Sequence, residues 1–135
     1  MQYWLVKQEP EDYSWDDFVR DGRVAWTGVR SYAARLHLKA MRAGDEVFFY
    51  HSGESKSVVG RARVTKAAFP APTADEPGWV AVELAPMEPL ARPVTLAQIK
   101  ADAALQQVAL VRQSRLSVMP LTPAEFARIG KLGGR

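Results

Sequence analysis

Residues 46–67, EVFFYHSGESKSVVGRARVTKA, contain two segments that predict β-strands and decide the fold class. The first segment, 46–51, is a run of aromatic and β-branched residues, which strands favour. In the second segment, 57–67, basic residues alternate with apolar ones around Arg61, as in a half-buried strand. This alternation predicts one cationic face for the strand, and Gly60 within it indicates a possible β-bulge.

Three more strands and four helices are predicted around these two segments. The further strands are predicted at 3–7, 79–84 and 114–118. A Ser or Thr that can act as an N-cap precedes each predicted helix. These caps and helices are Ser14 with a short helix closed by Gly22, Ser31 with 32–40, Thr95 with 96–101, and Thr122 with a helix that begins at Pro123. Strands and short helices without a regular βαβ alternation predict an α+β fold, a small barrel with peripheral helices.

The length and composition of the chain are typical of one folded domain. The chain has 135 residues, of which 47% are hydrophobic and 24% are charged, so we expect a single domain over 1–135 and not a disordered chain. Residues 69–78 predict a surface loop inside that domain. The sequence has no cysteine, and its apolar runs are far shorter than the roughly 20 residues that a membrane-spanning helix needs. A cytosolic location is therefore predicted.

Charge is distributed unevenly along the sequence. The 18 Lys and Arg residues exceed the 15 Asp and Glu residues by only three. Bases collect at 20–42 and 56–66, however, whereas acids collect at 9–17. Clustered bases attract polyanions through phosphate contacts and counterion release. The alternative interpretation is that these residues form solvated faces of helices and strands.

Known catalytic and metal-binding patterns are absent from the sequence. His37 and His51 are far apart and lie in no zinc-binding spacing, and no thiolate ligands are available. We find no phosphate-binding glycine loop, no Gly-x-Ser-x-Gly nucleophile and no obvious carboxylate pair. The sequence therefore predicts no catalytic residue, no cofactor and no metal.

Aromatic residues lie close to bases in several parts of the sequence. Such a pairing suits stacking on a nucleobase while a cation contacts its phosphate. Trp4 and Trp79 are interpreted as core residues. Trp26 is interpreted as a binding residue, because it lies among small and flexible residues just before a helix start, near Arg30. His51 is either a satisfied polar group at a strand end or a ligand contact.

Five blocks of the sequence together resemble the EVE domain family. They are YWLVKQEP (3–10), YSWDD (13–17), WTGVRSYAAR (26–35), FYHS (49–52) and LVRQSRLS (110–117). The resemblance spans nearly the whole chain and implies a PUA-like β-pseudobarrel, similar in fold to the YTH and ASCH domains. It also implies a module without catalytic activity that binds DNA or RNA.

The resemblance further implies that a modified base, for example methylated or hydroxymethylated cytosine, is flipped into an aromatic pocket. The residues that it places in or around this pocket are Lys7, Ser14, Trp15, Trp26, Gly28, Val29, Arg30, Ser31, Tyr32, Tyr50, His51, Arg112, Ser114 and Arg115. Ser31 stands where the family often has Asn, and this change removes an amide that could contact a base edge. Two alternatives are an enzyme that acts on modified nucleotides or nucleic acids, and a module that binds small molecules or proteins.

Overall fold

A mixed β-sheet organises the chain, whose computed structural model describes residues 1–26, 31–70 and 79–134. The described residues contain six strands, which are β1 (Tyr3–Gln8), β2 (Val24–Trp26), β3 (Glu46–His51), β4 (Ser57–Pro70), β5 (Val80–Thr95) and β6 (Val118–Leu121). Their order in the sheet is β2-β5-β4-β3-β1-β6. Strands β1 and β3 are parallel, whereas the other neighbours are antiparallel. The sheet is not closed, because its edge strands β2 and β6 do not pair in the part of the chain that the structure describes.

Helices pack around this sheet, and the α+β class predicted from the sequence is confirmed. The helices of the described residues are α1 (Trp15–Asp21), α2 (Tyr32–Ala40), α3 (Leu96–Ala101), α4 (Ala109–Arg112) and α5 (Pro123–Leu132), with a 3₁₀ turn at Ala103–Leu105. Ser14, Thr95 and Thr122 form capping boxes, and the Ser31 hydroxyl accepts the Ala34 N–H. All four predicted caps are therefore confirmed. Helix α4 and the 3₁₀ turn were not predicted.

The predicted strand at 114–118 is wrong. The last strand instead begins at Val118 and pairs antiparallel with β1, and Pro120 lies within it. Proline is tolerated there because β6 is an edge strand with no neighbour on its other side in the described sheet. Strand β5 extends well beyond its predicted range of 79–84. Its prolines lie at shifts in the register with β4 and do not end the strand. The predicted loop at 69–78 lies mostly outside the described residues.

The predicted cationic face of β4 is confirmed at Arg63, which is exposed, but not at Arg61. The alternation itself is confirmed, and the register shifts beside Gly60 as expected for a bulge. The Arg61 side chain, however, is only 15% exposed and forms salt bridges with Glu46 and Glu88, with its Nε 2.7 Å from the Glu88 Oε1. Two carboxylates on the neighbouring strands thus neutralise Arg61, which cannot serve as a free phosphate contact.

Aromatic rings pack between α1 and the sheet. The Phe49 ring stacks on Phe18 at a centroid distance of 5.4 Å and meets Trp15 and Trp26 edge to face at 5.5 and 5.6 Å. The Trp15 indole lies directly over Gly60 on β4, where a Cβ atom would be 2.5 Å from the ring. Gly60 is therefore required by the close approach of this indole to the β4 backbone.

Substitution Gly60→Ala is expected to destabilise the fold by about 1–3 kcal/mol, because the added methyl group overpacks the core against Trp15. The free energy of unfolding, measured by urea denaturation, checks this. In a Trp15→Phe background the same substitution should cost less, since the ring atoms that clash belong to the indole. An equal cost of Gly60→Ala in both backgrounds would contradict the packing argument.

Candidate nucleic-acid interface

The parallel strands β1 and β3 end side by side, and their C-terminal ends bring predicted site residues together. Lys7 is opposite Tyr50 and Gln8 is opposite His51 in the register. The Lys7 ammonium donates a hydrogen bond to the Ser114 carbonyl oxygen at 2.8 Å and lies 5.9 Å from the Tyr50 ring centroid. Burial lowers the pKa of Lys7 from its ordinary value of 10.5. Three predicted residues from distant blocks of the sequence therefore converge.

A cavity of about 280 Å³, here called the lysine pocket, opens beside these residues. Its lining residues are Lys7, Tyr50, Ser52, Gly53, Lys56, Leu96, Lys100, Leu110 and Ser114. Sequence reasoning missed Lys56 and Lys100 as site residues. The basic stretch 56–66 was a signal for Lys56, whereas Lys100 in the last turn of α3 carried none, because its position depends on how α3 packs.

A second depression of about 420 Å³, here called the arginine cleft, adjoins the lysine pocket at Ser114. It is lined by Ser31, Ala33, Arg112, Gln113, Ser114, Arg115 and Leu116. The structure therefore brings the predicted residue Ser31, at the start of α2, to the late block that contains Arg112 and Arg115. Both arginines are exposed, so their guanidinium groups can contact phosphate oxygens.

A smaller cavity of about 170 Å³, here called the aromatic cavity, lies near the end of β1. It is lined by Gln8, Tyr13, Val24, Ala25 and Trp26. Trp26 is the last residue of β2 and only 3% exposed, and its ring meets Tyr13 edge to face at 6.4 Å. Burial, together with a hydrogen bond that the Tyr13 hydroxyl donates to Asp21, raises the pKa of Tyr13. Trp26 thus forms a wall of a cavity and offers no open ring face.

Three further predicted residues meet where helix α1 begins: Ser14 and Trp15 at the start of α1, and His51 at the end of β3. Ser14 is the N-cap, and its hydroxyl accepts the Asp17 N–H at 3.1 Å. The Trp15 N–H donates to the His51 Nε2 atom at 3.0 Å. These contacts position α1 on the end of β3, so the three residues hold the frame of the site together. The predicted residues Gly28, Val29 and Arg30 lie outside the described residues.

Tyr32 stands apart from these packed residues, because it is 64% exposed at the start of α2. The Arg35 guanidinium carbon lies 4.7 Å from the Tyr32 ring centroid and 4.9 Å from that of Trp79. An exposed ring supported by a guanidinium group is a suitable stacking surface for a base. Trp79, predicted as a core residue, is half-buried against Arg35.

The described ranges contain neither a metal-binding cluster nor a membrane-spanning helix. Within residues 1–26, 31–70 and 79–134, no group of three or more His, Cys, Asp or Glu side chains could hold a metal ion. No helix in those ranges has both the length and the apolar character to cross a bilayer.

Comparison with known proteins identifies the family. A family model described as EVE domain matches residues 2–132. The chain belongs to the EVE domain family. The resemblance of the five sequence blocks to this family is thus confirmed. The lysine pocket, the arginine cleft and the aromatic cavity therefore belong to an EVE domain.

Solved and curated relatives cover this EVE domain almost completely. It is 32% identical to thymocyte nuclear protein 1 of Mus musculus, in an alignment that covers 92% of this chain and 70% of the relative. A protein of Rhodopseudomonas palustris, solved by NMR, matches with a TM-score of 0.94 and 47% identity over 99% of this chain and 94% of that chain. Human THYN1, solved in complex with 5-methylcytosine-containing DNA, matches with a TM-score of 0.92 and 29% identity over 100% and 99% of the two chains.

Stability of this EVE domain is expected to fall as the pH drops below about 6.5, because burial lowers the pKa of His51 from its ordinary value of 6.5, an effect that Asp16 and Glu11 oppose. As the pH falls through that range, His51 binds a proton in the unfolded chain before it does so in the folded chain. A protonated His51 also cannot accept the Trp15 N–H. Denaturant unfolding at pH 7.5 and 5 checks the loss.

Substitution His51→Gln retains a side-chain oxygen as an acceptor and should reduce this loss. His37→Gln is the second variant to measure. Burial also lowers the pKa of His37, so this residue contributes to the same loss of stability. A His51→Gln protein that loses as much stability as the wild type over this pH range would contradict the role given to His51.

Proposed function

We propose that this EVE domain, residues 1–135 as one unit, binds DNA and recognises a modified base without catalysing a reaction. The observation that carries the proposal is the match over the full length to human THYN1, which was solved in complex with 5-methylcytosine-containing DNA. The function rests on the shared fold together with the cavities described above. The cytosolic location stays a prediction.

The aromatic cavity is the proposed site for the base. Its volume of about 170 Å³ is below the roughly 300–1,000 Å³ of pockets for drug-sized ligands, so it suits one base and not a whole nucleotide. Gln8 supplies an amide that can donate to and accept from a base edge, and Tyr13 and Trp26 supply apolar walls. Because Trp26 is buried, entry of the base includes a movement that opens the cavity.

The surrounding residues of the proposed site divide into two groups. Arg112 and Arg115 in the arginine cleft, with Arg30, are proposed to contact phosphates, and exposed Tyr32 is proposed to stack on a flanking base. Ser14, Trp15 and His51 are proposed to support the pocket by positioning α1. The set proposed from the family blocks is completed by Lys7, Gly28, Val29, Ser31, Tyr50 and Ser114.

Selectivity for the modification is expected to be modest. A methyl group that moves from water into an apolar cavity gains about 0.8 kcal/mol, which corresponds to roughly a fourfold preference. Fluorescence anisotropy with matched DNA oligonucleotides that carry cytosine, 5-methylcytosine or 5-hydroxymethylcytosine measures the preference. RNA oligonucleotides with the same modifications form a second panel that decides between DNA and RNA.

Substitution Trp26→Phe is expected to reduce the ratio of modified to plain binding, because it changes the wall of the aromatic cavity while keeping a ring in the core. Phe126→Leu is the control, since Phe126 is also buried but lines a different surface, beside Tyr3. The control should keep the wild-type ratio. Equal binding of modified and plain oligonucleotides by the wild-type protein would contradict the proposed function.

A further inference from the structure

The lysine pocket combines three ammonium groups that have no acidic partner in the described part of the chain. Lys7, Lys56 and Lys100 line it, whereas the salt bridges found among the described residues involve Arg20, Arg61 and Arg128. Like charges around one cavity repel each other, and an anion placed between them relieves this repulsion. The charge of the pocket therefore favours an anionic ligand.

Hydroxyl groups in the same pocket narrow the class of anion. Tyr50, Ser52 and Ser114 line it beside the lysines. Burial raises the pKa of Tyr50, so its phenol keeps the proton and can donate. A phosphate group offers several acceptor oxygens and suits a mixed set of ammonium and hydroxyl donors.

Backbone contacts hold the lysines in place. The Leu96 N–H at the start of α3 donates to the Lys56 carbonyl oxygen at 2.7 Å, so the turn that carries Lys56 is tied to the helix that carries Lys100. Lys56 has a φ of 44°, a left-handed conformation that residues other than glycine rarely adopt. The Lys7 ammonium is held by the Ser114 carbonyl oxygen. These contacts fix the backbone around the pocket and the Lys7 side chain without a ligand.

Neighbouring residues of β1 link this pocket to the aromatic cavity. Lys7 lines the lysine pocket and Gln8 lines the aromatic cavity. Consecutive side chains of a strand point to opposite faces, so the two cavities lie on either side of the end of β1. On its other side the lysine pocket meets the arginine cleft at Ser114. A nucleic-acid strand that crosses the arginine cleft therefore arrives at the lysine pocket.

We infer that the lysine pocket binds a phosphate group of the same nucleic-acid strand whose modified base enters the aromatic cavity. This inference rests on the proposed function and adds Lys56 and Lys100 to the site. The pocket supplies affinity that is independent of sequence and modification, whereas the aromatic cavity supplies the preference for the modified base.

The test replaces Lys56 and Lys100 together by glutamine and keeps Lys7, whose hydrogen bond to Ser114 joins two parts of the fold. Binding of modified and plain DNA oligonucleotides is measured by fluorescence anisotropy at salt concentrations from about 50 to about 300 mM. The double variant should weaken binding to both oligonucleotides by the same factor. Its salt slope should fall by about 0.7–0.9 for each phosphate that the protein no longer neutralises.

A second double variant, Lys39→Gln with Lys131→Gln, is the control. It lowers the net charge equally, and both lysines are exposed and line neither the lysine pocket, the arginine cleft nor the aromatic cavity. Its salt slope should stay close to that of the wild type. The inference is overturned if the Lys56 and Lys100 variant keeps the wild-type slope, or if the control falls by as much.

A measurement without oligonucleotides separates the failure of this inference from that of the proposed function. Deoxycytidine 5′-monophosphate, titrated into the wild-type protein, should shift the NMR signals of Ser52, Lys56 and Ser114, whereas deoxycytidine should not. If the wild type binds modified and plain DNA equally, the reader function fails and the salt slope still tests the pocket. If the wild type binds no oligonucleotide, absent shifts with the monophosphate overturn the inference.

Oligonucleotides with and without a 5′-phosphate distinguish the two sources of the phosphate. Equal affinity for both assigns the pocket to an internal phosphodiester, the result expected for a strand that continues along the arginine cleft. Affinity that requires the 5′-phosphate assigns the pocket to a strand end. In both cases the variant with Lys56 and Lys100 replaced must lose the part of the affinity that the phosphate contributes.

Discussion

One buried carboxylate, that of Asp45, fixes the relation between the two parallel strands at the centre of the sheet. Asp45 is only 3% exposed, and its oxygens accept the backbone N–H groups of Gln2 and Arg42 at 3.1 and 3.0 Å and the indole N–H of Trp4 at 3.0 Å. A buried carboxylate without such donors would be strongly destabilising. Because Gln2 precedes β1 and Asp45 precedes β3, satisfying this group aligns the starts of both strands.

The position of the proposed site follows from that alignment. A tight turn cannot set the register of β1 and β3, because parallel strands are joined by a long crossover connection. A slip by one residue would reverse the faces of every side chain on β1. With Tyr3 opposite Glu46, Lys7 comes opposite Tyr50 at the far end, and Lys7 and Gln8 face different cavities. The geometry of both cavities thus depends on hydrogen bonds at the opposite end of the strands.

Local chemistry could be predicted from the sequence, whereas contacts between distant segments could not. The caps Ser14, Thr95 and Thr122 were predicted because each forms its hydrogen bonds within three residues. Arg61 was misinterpreted because its partners, Glu46 and Glu88, lie on other strands and only the register places them there. The same limit applies to Lys100 and to Trp26, whose burial depends on Phe49 and Phe18. The five family blocks predicted most of the proposed site because they report on contacts that local patterns do not contain.

The burial of Trp26 has a consequence for how affinity and selectivity divide in the proposed complex. If the cavity must open to admit a base, the cost of opening lowers the affinity for modified and plain bases alike. Phosphate contacts offset that cost equally for both, so they raise the affinity without changing the ratio. The ratio depends only on what the base meets inside the cavity, where a methyl group gains little more than its own burial. A reader built in this way combines adjustable affinity, set by Lys and Arg at its rim, with a small preference set by its aromatic wall.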